Sequence, residues 1–426
     1  MQLNEDFLHY IWQYRLLTSI DLCCTGGQEL KIIHPGMLNK NAGPDFSAAK
    51  LRIGGQLWAG DVELHVKASD WFLHQHQHDA VYDAVILHAV YEDDQPVYRT
   101  DGTLIPVLVL KGLVPEILLS KYLDLIGSRN FFPCEKQLYT VNPQTLYVLF
   151  DACLLQRMEQ KSALLKLKMR QNKHHWKEGF YELLMRNFGF GINAVPFELL
   201  ANALPAKILG RHRDQPLQVE ALLFGQAGFL ERDYEDEYPQ MLKAEYRFLR
   251  QKYQLKPLER SLWRFLRMHP QNFPPLRIAQ AAGIVLNQAN SWDILLKEKD
   301  LRILRSIFSS INVHPYWKNH ADFDKPCKPV SVKLGKRSVD SLIINTVCIL
   351  RYYYGRYFNR LDLMKQAADL MDCIPAECNA ITRRYIDAGI RLRHAGDSQA
   401  ILQLYANYCS LKKCLNCIAG IEIIGE

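Results

Sequence analysis

Long apolar runs are missing from this chain. None of its 426 residues lies in a stretch approaching the roughly 18 consecutive apolar positions that carry a helix across a bilayer, so no membrane partner is expected. The opening Met1-Gln2-Leu3-Asn4-Glu5-Asp6 has neither the basic region nor the apolar core of a secretory signal, which points to a cytoplasmic protein. Internal repeats and low-complexity tracts are absent, which excludes solenoids and extended linkers. A strong charge imbalance is lacking too: 52 Lys and Arg against 45 Asp and Glu leave a net +7, too little at this length to argue for nucleic acid by itself. With 48% apolar and 23% charged residues the chain is not disordered, and its length exceeds a single core, so two or three domains are expected.

What is present is concentrated early. The segments 45–53 and 56–66 flank Gly54-Gly55, a dipeptide suited to a two-residue turn with positive φ, and so predict a hairpin. Val62, Leu64 and Val66 alternate with Glu63, His65 and Lys67, giving the second strand an apolar and a titratable face. Strict pairing through the turn sets Asp45 opposite Leu64, on the apolar side. A bulge at Ala59-Gly60 shifts the register by one, sets Asp45 opposite His65 and brings it beside Glu63, and such a bulge is predicted. Two carboxylates so placed suit Mg²⁺ or Mn²⁺, hard cations that take oxygen ligands and keep waters for phosphate to replace.

At Pro44-Asp45 and Glu63-Leu64-His65 the chain resembles the PD-(D/E)xK nuclease superfamily, over roughly the first 110 residues. The resemblance implies an α+β protein, in which a restriction-endonuclease-like mixed β-sheet with a flanking helix, residues 1–135, precedes a mainly α-helical region. It implies a metal-dependent nuclease with Asp45 and Glu63 on the metal and His65 or Lys67 near the phosphate. Histidine stands where the superfamily has lysine; His65 does that work only when protonated, and Lys67, on the same face, is the substitute. Glu29 fills the place of a glutamate that the superfamily often carries earlier. Over its whole length the chain also resembles an uncharacterised bacterial family labelled only as a domain of unknown function. That likeness lies in Asn41-Ala42-Gly43-Pro44-Asp45-Phe46, in Val62-Glu63-Leu64-His65 followed by Ser69-Asp70-Trp71, and in Val85-Ile86-Leu87-His88, and brings no activity.

Downstream, His74, His76 and His78 alternate before Tyr82 and His88. Read as a short helix, His74, His78 and Tyr82 share one face. His88, inside the apolar run Val85 to Val90, reads as a buried strand histidine. A metal hydrolase built on His65, His74, His78 and His88 is a third functional reading.

The remainder is helical in pattern, with helices over 142–169, 176–188, 217–230 and 240–253, and a last block from residue 341 onward. It divides into 136–330, a helical domain with basic segments, and 331–426. Lys166, Lys168, Arg170, Arg264, Arg267 and Arg277, interleaved with aromatics, suit a groove that follows nucleic-acid phosphates. Cys409, Cys414 and Cys417 make a Cys-x4-Cys-x2-Cys run whose spacing fits three ligands of zinc or an iron-sulfur cluster, and thiols in a cytoplasmic chain read as metal or redox groups. Cys134 is the first choice of fourth ligand, Cys378 and Cys23 the alternatives. A metal-dependent nuclease and a non-catalytic nucleic-acid-binding or assembly protein with a degenerate nuclease-like fold are the two leading classes. Protein partners are not readable.

Overall fold

The computed structural model describes residues 3–19, 21–287 and 292–425. The chain forms two compact units: residues 1–151, 380–391 and 401–426 make the first, and 152–379 with 392–400 the second. The last stretch of chain, residues 401–426, returns to the first unit.

The first unit is α+β. Helix α1 (Glu5–Tyr14) starts at Asn4, whose side chain accepts from Phe7 N. Its buried stripe is Phe7, Leu8, Ile11 and Trp12, and Trp12 Nε1 donates to Pro35 O at 2.9 Å. Seven strands follow: β1 (Leu22–Cys23), β2 (Glu29–His34), β3 (Met37–Leu38), β4 (Phe46–Ile53), β5 (Gln56–Lys67), β6 (Val85–Glu92) and β7 (Val107–Val109). They make one mixed sheet in the order β1-β2-β4-β5-β6-β7, with β3 paired to β4. β4 and β5 are antiparallel, while β5, β6 and β7 are parallel. The apolar run at 85–90 is buried throughout, as a strand covered on both faces must be.

The hairpin forms as its sequence predicts, with Gly54 at φ 58° and Gly55 at φ 84°. The bulge lies on the other strand. Ala49 pairs with Gly60 but Phe46 with Val62, so Ser47 and Ala48 stand against Asp61 alone. Ala48 takes φ 56°, and its N–H donates to Asp61 Oδ1 at 3.1 Å. Asp45 therefore comes opposite Glu63 rather than His65. Gly60 is glycine for another reason: a Cβ there would sit 2.4 Å from Ile86 Cγ2 and 2.7 Å from Ala84 O.

After β5 come α2 (Asp70–Leu73), two 3-10 turns (His76–His78 and Ala80–Ala84), and, beyond β7, α3 (Glu116–Gly127). The returning segment is fastened to residues 126–142 of the same unit. Phe132 stacks on Tyr385 with centroids 4.1 Å apart, Phe131 on Tyr405 at 4.7 Å, and Lys412 Nζ donates to Ile126 O at 2.6 Å.

Helix α4 (Pro143–Gln171) opens with proline behind Asn142 and carries the chain into the second unit. That unit is almost wholly helical. The helix predicted at 176–188 is found as Trp176–Phe188, and those at 217–230 and 240–253 as Pro216–Gln226 and Glu237–Tyr253. Pro274 and Pro275 open a helix, Pro274–Leu286, instead of holding a turn open, because neither needs an N–H donor in the first turn. Gly225 brings its helix against the Tyr246 ring, where a Cβ would meet ring carbon at 2.2 Å. No helix among the described residues is long and apolar enough to cross a membrane.

Candidate metal centre

Register places the site. Asp45 immediately precedes Phe46, which pairs with Val62, and Glu63 pairs in parallel with His88, so Asp45, Glu63 and His88 form a row across three strands. His65, two residues beyond Glu63, extends that face. The two acids are locked by backbone: Asp45 N donates to Glu63 Oε2 at 2.9 Å and Leu64 N to Asp45 Oδ2 at 2.9 Å.

Imidazoles close over this row. From α1, His9 Nε2 lies 3.0 Å from Asp45 Oδ2. His76 Nε2 lies 3.2 Å from Glu63 Oε1. Both nitrogens are buried. His65, the best buried of the cluster with His88, joins His88 through Nδ1 at 2.8 Å and His74 through Nε2 at 3.1 Å. His65, His74 and His76 each present a ring nitrogen within 4.8 Å of the others. Tyr82 stacks on His76 at 3.7 Å, and Trp71 packs edge-on against it at 5.3 Å.

Electrostatics prepares these groups for a cation. Burial, and then the charge of His88, His74 and His76, pushes the His65 pKa down to about 2, and burial pushes His88 to about 3. Both rings therefore stay neutral, the form that ligates metals. Burial raises the Glu63 carboxyl, the His76 contact opposes this, and the Asp45 charge adds to it. Glu5, one turn before His9 on α1, is also raised by burial and feels both His74 and Asp45. Neighbouring carboxylates, the Asp45 charge raising Glu63, beside buried imidazole nitrogens make a donor set that a divalent transition-metal ion fits.

Of the residues singled out in the sequence, Asp45, Glu63 and His65 come together here. His65 is held neutral and so does not replace a lysine. Lys67 is exposed at the end of β5, where its charge acts on Asp94. Glu29 is exposed and pairs with Cys23 at the sheet edge. His78 is exposed as well, since α2 lasts one turn and Gln75 at φ 62° breaks it. His76 thereby takes the inward position that helical spacing gave to His78. Glu5 and His9 were not anticipated; their i,i+4 spacing opposite the Phe7/Ile11 stripe was the available signal.

The basic residues belong to the second unit. Lys166, Arg170, Arg264 and Arg267 are exposed. Lys168 is instead buried between Glu182 at 2.8 Å and Glu198 at 2.7 Å. Arg277 is buried as well, donating to Asn272 and Gln280 over the Phe190 ring.

Compared with protein families, residues 5–380 match a model described as a protein of unknown function, DUF2851. No curated protein and no solved structure matches the chain.

Proposed function

The chain belongs to the DUF2851 family, and from the chemistry of its own site we propose that the sheet-bearing unit is a metal-dependent phosphodiester hydrolase, a nuclease on a restriction-endonuclease-like fold. One observation carries the reading: Asp45 and Glu63 lie side by side, with the buried His9 and His76 nitrogens 3.0 and 3.2 Å from their oxygens. His76, whose ring nitrogen lies within 4.8 Å of those of His65 and His74, would hold the ion together with Glu63 3.2 Å away and Asp45 beside it. Mixed imidazole and carboxylate donors favour Mn²⁺ over Mg²⁺, which prefers oxygen alone. Such an ion, when bound, polarises a phosphoryl oxygen and lowers the pKa of a coordinated water.

The protein's own part is positional. The β4 bulge turns Asp45 to the Glu63 side, and the two backbone hydrogen bonds fix both carboxylates before any ligand arrives. The chain His88–His65–His74 runs from the buried strand to the surface. Lys166, Arg170, Arg264 and Arg267 are offered as phosphate contacts; each one lost should reduce the salt slope of binding by about 1.

Nuclease assays on DNA and RNA with Mn²⁺ or Mg²⁺ test this. Asp45→Asn and Glu63→Gln should each lose on the order of 100-fold or more in rate, the scale of removing a transition-state contact. Activity that survives both changes overturns the assignment. One observation favours the second reading, binding without catalysis: no lysine accompanies the acids. Nucleic-acid binding without Mn²⁺-dependent cleavage would establish it.

A further inference from the structure

Three lysine or arginine side chains are buried among the described residues, and two of them have partners that offset their charge. Lys168 lies between Glu182 and Glu198, and Arg351 donates to the main-chain oxygens of Leu295 and Glu298. Arg277 differs. It stands on the buried helix Pro274–Leu286 and donates to two neutral amides, at Gln280 Oε1 over 2.9 Å and at Asn272 Oδ1 over 2.5 Å. A guanidinium carries five N–H donors, so two are met, and the buried Nε has no acceptor. Burial alone pushes the Arg277 pKa down to about 10, which leaves the group charged at neutral pH. A buried cation with no anion beside it is costly, and a bound anion would offset that cost.

The same guanidinium lines a cavity of about 280 Å³ in the second unit. Phe190 lies 4.3 Å from it face-on, and Gln280, itself tied to Val332 O at 3.0 Å, holds one edge. The head is therefore fixed before any ligand arrives. Arg267 and His269, both exposed, line the mouth, and Ser338 joins them from the first turn of the helix Lys336–Leu342. No aspartate or glutamate is among the described residues that line the cavity.

We propose that this cavity is an oxyanion site for a phosphate monoester, with Arg277 at its floor and Arg267, His269 and Ser338 at its mouth. The arginine fork matches phosphate oxygens, and donors from three separate chain segments suit a tetrahedral group better than a planar carboxylate. The cavity is smaller than the roughly 300–1,000 Å³ of most ligand pockets, so it admits a phosphate with a small group attached and excludes a duplex. The phosphate belongs to a small molecule or to the end of a strand. The site lies wholly in the second unit and does not rest on the nuclease reading of the first.

Calorimetric titration of the full chain at constant ionic strength, with inorganic phosphate and phenyl phosphate as probes, tests this. One saturable site is expected. Arg277→Gln should weaken it at least about 10-fold, the scale of a lost hydrogen bond to a charged group. Arg267→Gln, at the exposed mouth, should weaken it about 2–5-fold, as an exposed ion pair would. Arg302→Gln, an exposed arginine of the same unit paired with Asp300, should change nothing. Binding of neither probe at millimolar concentration overturns the proposal, as does unchanged affinity in Arg277→Gln, or in Arg267→Gln where Arg277→Gln fails to fold. Acetate that competes as well as phosphate overturns it too. Competition by a 5′-phosphorylated oligonucleotide, but not by its 5′-hydroxyl twin, supports the site and assigns it to a strand end. Competition by neither supports it and assigns a small molecule. Equal competition by both overturns it, because the protein would then be reading strand charge rather than a terminal group.

Discussion

His65 stands two residues after Glu63 on β5, and its surroundings decide what it does there. Buried among His88, His74 and His76, it cannot hold a proton at working pH, so its role is that of a neutral donor, acceptor or ligand. The acids were legible in the sequence because Pro44-Asp45 and the alternation at 62–67 mark two strands with one polar face. His9 was not, since a helix position does not say which strand it will cover. His76→Ala should weaken Mn²⁺ binding by at least about 10–100-fold in calorimetric titration, the scale found for groups that merely support a ligand. Elsewhere, Glu220 is 5% exposed, accepts from Tyr238 OH at 3.0 Å, and is pushed up to about 7 by burial. The sign follows from the raised pKa: below the unfolded value near 4.5 both states are protonated and nothing is lost, whereas stability falls as pH rises through 4.5 to 7. Glu220→Gln should therefore change little at pH 4 and add on the order of 2–3 kcal/mol at pH 8, read by urea denaturation at both pH values.

The β4 bulge sets the face on which Asp45 sits. The sequence required a register shift but could not say which strand would supply it; Gly60 drew the prediction to β5, whereas the shift is taken by Ser47 and Ala48. Deleting Ala48 removes the bulge while strict pairing still sets Phe46 opposite Val62 and Asp45 opposite Glu63, so Mn²⁺ binding should be kept, with the far-ultraviolet circular dichroism of the sheet in place. Ala48→Gly relieves the cost of a left-handed alanine, about 1 kcal/mol, and should keep the metal. The histidine segment shows the opposite limit of legibility. Read as a short helix, the segment put His74, His78 and Tyr82 on one face, but α2 has four residues and Gln75 at φ 62° breaks it, so His76 rather than His78 turns inward. In the second unit Gly225→Ala drives a methyl into the Tyr246 ring and should cost about 1–3 kcal/mol, measured as a shift in denaturation midpoint.

At the scale of the molecule, the sequence pattern located the helices well, while the division into units follows contacts between residues far apart in the chain. Periodicity is local, and nothing local in Cys409-x4-Cys414-x2-Cys417 says that these residues return to the sheet-bearing unit. The aromatic pairs Phe132–Tyr385 and Phe131–Tyr405 do say so, but only once folded. Because each unit has its own core, damage to one should stay there. Phe132→Ala, at a fully buried position, should destabilise the first unit by about 3–5 kcal/mol, seen as faster hydrogen exchange in β4–β6 with the helix Glu237–Tyr253 unaffected.

The first unit is assembled from residues 1–151 and from residues made more than two hundred positions later. On a translating ribosome at about 5–20 residues per second, the early strands would wait roughly 10–50 s for Tyr385 and Tyr405 to emerge. During that interval the seats of both rings stay open, and the hazard of a wrong partner there belongs to the nascent chain rather than to the finished protein.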